Sequence, residues 1–506
     1  MVFLVGNLSL CPEAWASSAD VPLDHWSYEA VERLAARGFC SGLGLGMRPL
    51  SRSWMAGRTA EALEAAESDL PGLSQELAYQ IEEDLLRLRR EFAPELKREG
   101  RSGPSFQTHL VSETFVTAFR REESTSLLEN SQGFRLHDGF NGRWRLPSWL
   151  SVGDWLAVTL DPSVRTRERD SDADLDLEEG SLKLAYRNLE LRGGVLNFWW
   201  GPGYHGDFLL TNNTRPLRAF SLRTREEFKL PWKLRRLGGW QVQLITAQLE
   251  DERTPSNDFL TGTRVEWSPE RHLVLGAGHT ALVGGEGEEE GLSEFLNAID
   301  PTAGGGETER IDHLFDGDVR FFFPELLRWS RAGTGLEFYA EFFGEDTKGF
   351  YIPDMVSYLA GAAIADLFSV PGLDLRAEWA KIHDKAYEHF VHTSGYRFKG
   401  EFLGHHAGPD SEELFGRLSK DFSFWEKRFV AGVQAELERR GESGEALSFG
   451  EVAQTRKEFQ IDLHHEFSEV VEIVLAYQFE DIDNFRGSSG ADSNNHIVSA
   501  ETRLHF

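Results

Sequence analysis

Two short stretches concentrate the residue types that could do chemistry. In the first, Asn197-Phe198 and the adjacent indoles Trp199-Trp200 lead into Gly201-Pro202-Gly203-Tyr204; then come Phe208-Leu209-Leu210-Thr211, the pair Asn212-Asn213, and Thr214-Arg215-Pro216. Glycine reaches backbone angles closed to other residues, and proline stiffens the reversal. An indole has a large apolar face and one polar N–H, so it suits a sugar platform, a membrane-interface anchor or a packing corner. Packing is the plainest of the three. The second stretch is Gly404-His405-His406-Ala407-Gly408-Pro409-Asp410. A catalytic dyad at these histidines would need an orienting partner that a sequence does not reveal. His383, His389 and His392 cluster near one strand end and offer metal-ligand types, although isolated loop histidines are the commoner case. His464-His465-Glu466 lacks the second histidine of the zincin spacing. Nucleophile elbow and phosphate loop are missing. Carboxylates are too numerous to single out a glycosidase pair, and Glu288-Glu289-Glu290 reads as solvated loop. No catalytic residue, metal or cofactor is therefore assigned, and the chain is expected not to be an enzyme.

These stretches need a scaffold, and composition narrows the choice. The 506 residues are 40% hydrophobic and 27% charged, and no run approaches the roughly 18 apolar residues of a spanning helix. A β-barrel tolerates such polarity, because only alternate residues meet lipid. The 14 Trp, 36 Phe and 10 Tyr suit interface girdles, and equally suit glycan stacking or a soluble aromatic core. A net charge of −30, from 53 basic and 83 acidic residues, argues against nucleic-acid partners. Cys11 and Cys40 cannot form a disulfide framework. Residues 1–16 read as a signal peptide: Met1 to Leu10 is largely apolar, and Ala14-Trp15-Ala16 offers a small-x-small cleavage site. The mature chain is then expected to begin near Ser17. Leu8-Ser9-Leu10-Cys11 only partly matches a lipoprotein box, because Leu10 is too large before the cysteine.

Residues 20–100 carry helical signals. Asp24 is placed to cap a helix with Val31, Leu34 and Ala35 on one face, ending near Gly38. Ala60 to Glu67 is rich in Ala and Glu and ends before Pro71; Leu77, Ile81, Leu85, Leu88 and Phe92 then recur at helical spacing, up to Pro94. A small bundle is expected. From about residue 105, period 2 takes over. Leu336, Phe338, Ala340 and Phe342 alternate with Glu337, Tyr339 and Glu341, and Leu373, Leu375, Ala377 and Trp379 with Asp374, Arg376 and Glu378. Ile461, Leu463 and Phe467 share a parity, followed across a short turn by Val471 to Phe479. The last strand alternates Val498, Ala500, Thr502, Leu504 and Phe506 with Ser499, Glu501, Arg503 and His505; its terminal aromatic resembles the outer-membrane assembly signal, which implies the barrel assembly machinery as a partner. Stacked soluble sheets would alternate too. The heavily charged polar face in mid-strand favours a membrane barrel at 105–506, embedded among outer-membrane lipid and lipopolysaccharide. Its length allows about 16–20 antiparallel strands. Glu286 to Gly291, Ala303 to Thr308 and Gly487 to Asn495 read as outer loops.

The Trp199–Pro216 stretch resembles the WGPG…SNNARP signature of the Wzi capsule-assembly family, with Thr211 and Thr214 where that motif has Ser and Ala. Asp20 to Arg52 is similar to the helical start of that family, and Leu403 to Phe415 to its late strand pair. The matched motif residues are Trp199, Trp200, Gly201, Pro202, Gly203, Asn212, Asn213, Arg215 and Pro216, with Gly404, His405, His406, Gly408 and Asp410 in the second stretch; structural and glycan-binding roles both stay open for them. The resemblance implies an eighteen-stranded transmembrane barrel in the bacterial outer membrane with a small N-terminal, periplasmic α-helical bundle at 20–100. It implies a lectin-like protein that attaches or organises capsular or exopolysaccharide. An outer-membrane porin for small solutes is the alternative, with a hydrolase third.

Overall fold

In the computed structural model, the described residues are 18–69, 75–97, 106–120, 125–153, 155–167, 173–288, 291–299, 310–324, 332–347, 353–425, 427–444, 452–468 and 470–505. The expected leader with Cys11, the helix stop at Pro71, the Ala303–Thr308 loop, Glu289-Glu290 and the terminal aromatic Phe506 lie outside them.

Eighteen antiparallel strands close on themselves. The second strand is interrupted. Gly139–Arg145 and Ser148–Val152 both pair with Phe106–Arg120 on one side and with Leu156–Arg167 on the other. Leu146-Pro147 sits between them, where the missing proline N–H cannot join the ladder. Closure comes from the last strand, Ser493–His505, which lies against the first, with Val111 opposite His505 and Arg120 opposite His496.

Apolar and polar faces are inverted relative to a soluble sheet. Phe338 and Phe342 are exposed, whereas Glu337, Tyr339 and Glu341 are buried. The last three strands behave alike: Ile461, Leu463, Leu475 and Val498 face outward, and Glu458, Glu472 and Glu480 face the lumen. A soluble sandwich would bury the leucines, so this inversion selects the lipid-facing reading. No helix among the described residues is long and apolar enough to cross a membrane.

The two ends differ. One carries tight turns such as 187–188 and 271–272; the other carries the long connections 197–216, 284–311 and 383–410. In outer-membrane barrels the short turns face the periplasm. Exposed Trp155, Tyr186, Trp232, Phe368, Trp425 and Phe467 all sit at the short-turn end, an aromatic girdle at that interface. A helix at Leu292–Ile299 lies within the 284–311 connection.

The N-terminal segment forms α1 (Ser27–Ala36), α2 (Arg52–Asp69), α3 (Gln75–Glu91) and the single turn α4 (Ala93–Leu96). Val31, Leu34, Trp54, Met55, Ile81, Leu85, Leu88 and Phe92 share one apolar core, which Val274 and Phe322 of the barrel join. Phe92 separates α3 from α4, with Pro94 in the first turn of α4. Ser51 Oγ accepts from the Trp54 N–H, 3.1 Å, as the cap of α2. The cap expected at Asp24 does not form. Trp26 precedes α1 without a side-chain cap. Asp24 instead lies 3.4 Å from Arg503 and 3.6 Å from Arg145, because two barrel guanidinium groups outcompete a helix terminus for its charge.

Three ion clusters fasten this segment to the barrel wall. Asp20 pairs with Lys183, Arg192 and Arg223. Glu32 pairs with Arg48, Arg320 and Arg376. Arg37 Nη2 lies 2.8 Å from Asp366. The helices thus close the short-turn end rather than standing apart from it.

Candidate functional site

The two motif stretches meet inside the lumen. The 197–216 loop turns inward, and its strand end pairs with the N-terminal segment, Met47 opposite Trp200 and Arg48 opposite Trp199. Both indoles are buried and hydrogen-bonded: Trp199 Nε1 donates to Asp207 (2.8 Å) and Trp200 Nε1 to Gln243 (3.0 Å). Gly201, at φ +126°, is required there, because a methyl group on it would sit 1.7 Å from an Asp207 oxygen. Pro202 is buried, and the Gly203 N–H donates to Asp207 across 3.0 Å. Further along, the Tyr204 hydroxyl reaches Glu29 of α1 across 3.0 Å.

The second stretch packs directly on the first. The Thr211 N–H donates to the Leu403 carbonyl (2.8 Å) and its hydroxyl to the Gly404 carbonyl (2.7 Å). Asn213 Nδ2 donates to the Phe402 carbonyl across 3.2 Å. The Asn212 and Asn213 carbonyls accept from Gln132 and Gly133 of the 121–138 loop. A methyl group on Gly404 would lie 2.0 Å from the Phe208 carbonyl oxygen, so the two loops are in backbone contact. Gly408 sits against Phe402, and Asp410 accepts from the Ser443 hydroxyl across 2.6 Å. Arg215 is the more open member, 2.9 Å from Asp176, with Pro216 half-buried beside it. Residues 403–410 are irregular chain leading into the strand Ser411–Phe424, not the first half of a strand pair.

At the junction lies a knot of imidazoles and carboxylates. His205 Nε2 is 2.9 Å from Glu436, 3.4 Å from Glu129 and 3.6 Å from Glu413. His406 Nε2 is 2.8 Å from Glu413 and 3.4 Å from Glu129. Arg456 pairs with both Glu129 and Glu436. The two imidazole rings are 4.8 Å apart, and His205 stacks on Phe415 at 4.1 Å. Burial alone would lower the His205 pKa, but Glu413, Glu129 and Glu436 outweigh it and hold the ring well above its ordinary value. His405 goes the other way: burial, then the neighbouring His406 and His205, depress it. Its Nε2 makes no hydrogen bond.

The sequence singles out His405 and His406 but not Glu129, Glu413 or Glu436. Charged residues are too frequent along the strands for these to stand out, and only barrel closure brings strands Ser411–Phe424 and Lys427–Arg440 under the loops. Of His383, His389 and His392, the rings of the last two lie 5.5 Å apart, but the three form no metal-ligand group among the described residues. His383 pairs with Asp384 at 2.7 Å, and His392 with Asp258 at 2.8 Å.

Comparison with known proteins follows the same outline. The family model for capsule assembly protein Wzi matches residues 118–497. The solved structure of Wzi of Escherichia coli, an outer-membrane protein involved in group 1 capsule assembly and a carbohydrate-binding β-barrel, superposes with a TM-score of 0.71 at 20% identity, covering 97% of this chain and 99% of that one. An uncharacterized 55.8 kDa protein in the cps region of Klebsiella pneumoniae is 30% identical over 215 residues, which is 41% of either chain.

Proposed function

Since the chain belongs to the capsule assembly protein Wzi family and is a protein of the bacterial outer membrane, we propose that it holds capsular or exopolysaccharide on the outer face of that membrane, as a lectin and not as a conduit. The observation that carries this reading is the meeting of the inward loops with the N-terminal segment inside the lumen. A polymer or solute channel needs an open path, whereas here the helices enter from the short-turn end and the 197–216 and 383–410 loops from the other, until Trp200 and Met47 pair. Polysaccharide then has only the loop surface to occupy. Phe390, 70% exposed on the 383–410 loop, offers an aromatic face for sugar stacking there. The buried motif residues Trp199, Trp200, Gly201, Gly203 and Gly404 are read as architecture that shapes this loop surface. Helices α1–α4 face the periplasm, and lipid, lipopolysaccharide and the barrel assembly machinery complete the surroundings. The chain is read as non-catalytic, so polymer length is unchanged by incubation with it.

The test uses purified full-length protein in lipid nanodiscs against an array of bacterial capsular and exopolysaccharides, beside a deletion strain scored for polymer shed into the medium. Binding that falls for Phe390→Ala while the barrel stays folded is expected. An array without a binder, together with unchanged surface polymer in the deletion strain, would sink the reading.

A further inference from the structure

The knot beneath the two loops has more ligand atoms than an ion-pair network needs. Glu129, His205, His406 and Glu436 each offer one nitrogen or oxygen, all within 4.8 Å of one another, and Glu413 stands 2.8 Å from His406 and 3.6 Å from His205. Metal–ligand distances of about 2.0–2.2 Å put the edge of a coordination tetrahedron at roughly 3.3–3.6 Å. The His205–Glu129, His406–Glu129 and His205–Glu413 separations of 3.4, 3.4 and 3.6 Å match that edge. His406 and Glu413 supply the second observation. Their Nε2 and Oε2 atoms form an ion pair 2.8 Å apart, both side chains are at least nine-tenths buried, and His406 Nδ1 has no hydrogen-bond partner. A buried imidazole with an unsatisfied nitrogen amid carboxylates is a ligand-rich and costly arrangement. Charge points the same way. Glu129, Glu413, Glu436, Glu438, Glu458 and Glu480 crowd this part of the lumen, and Arg456, Arg440 and the two imidazoles are fewer than the six carboxylates they face. Buried carboxylates left in such excess are costly unless a cation joins them.

We propose that Glu129, His205, His406 and Glu436, with Glu413 beside His406, bind a divalent transition-metal ion that ties three loops to the barrel wall. Zinc fits the donor set best: two imidazole nitrogens with carboxylate oxygens at near-tetrahedral spacing. The five residues come from the 121–138, 197–216 and 383–410 loops and from two adjacent strands, so one ion clasps every segment that fills this side of the lumen. All the ligands are side chains of a closed interior, which makes the role structural.

The experiment uses untagged full-length protein, since a histidine tag would bind the probe. Protein assembled in zinc-supplemented medium is extracted in detergent, passed over chelating resin and assayed for metals by mass spectrometry. About one zinc per chain is expected, with imidazole scattering at the zinc absorption edge. His205→Gln and His406→Gln are expected to lower retained zinc by about tenfold or more, while heat-modifiable migration reports whether each has folded. Wild-type protein that carries no stoichiometric zinc, or carries only calcium or magnesium, overturns the proposal. So do folded variants that keep wild-type zinc. Should both variants fail to assemble, the wild-type metal content and edge spectrum decide alone.

Discussion

Trp200 has no solvent exposure, and its N–H is satisfied inside the lumen. Truncating such a side chain costs about 3–5 kcal/mol. Trp200→Ala is therefore expected to lower the fraction of heat-modifiable barrel in the membrane, with surface polysaccharide falling in parallel. A variant that assembles fully but loses polysaccharide would move this residue to the glycan site. Cys40 makes the opposite kind of prediction, one of inertness. It is buried against α1, where its thiol donates to the Val31 carbonyl, 3.7 Å. Burial, reinforced by Glu61, pushes its pKa up to about 12. Thiolate is the reactive form. Because the folded pKa lies above the ordinary one, the native thiol stays protonated through the alkaline range in which the unfolded thiol ionises. Maleimide at pH 8 should leave Cys40 of the native protein unlabelled and react with it after denaturation.

Asp20 shows what ties one element to another. It precedes α1, yet its carboxylate is shared by Lys183, Arg192 and Arg223 of the wall, all buried. Removing one partner from a buried ion cluster costs about 3–5 kcal/mol, since the remaining charges lose their compensation. Asp20→Asn is expected to destabilise the folded barrel by that amount in urea unfolding, and proteolysis should then reach α1–α3 before the strands. The sequence displays the helices and the strands through their periods, and Trp199-Trp200 and His405-His406 through their types. It does not display the docking. Nothing in the sequence marks Glu32, Arg37 and Arg48 as docking residues, because a charge looks the same in sequence whether it meets water or a barrel lumen. The same ambiguity hides Glu129, Glu413 and Glu436 among many strand carboxylates. Asp24 misleads for a related reason: local capping geometry is legible in a sequence, whereas Arg145 and Arg503 arrive from the strands beside the barrel's closure.

Considered whole, the molecule is a barrel whose two ends send segments inward until they meet. Reconstituted in planar bilayers, it is expected to show no steady conductance above that of bare lipid, whereas an open porin would step on insertion. Excising 386–402, which carries Tyr387, Tyr396 and Phe402 of the lumen core, should produce channel activity if the variant assembles. The meeting of Trp199-Trp200 with Met47-Arg48, and of Tyr204 with α1, has a mechanical consequence. Flow dragging on a long polymer held at the loops would pull along the barrel axis. That tension passes from the loops through a backbone ladder into the N-terminal segment, and from there through Asp20, Glu32 and Arg37 sideways into the strands. Load is spread over the whole hoop of hydrogen bonds and does not fall on the lipid. A tether built this way resists extraction by shear in proportion to the strength of the barrel itself, and severing the Asp20 attachment should let the plug give way before the wall does.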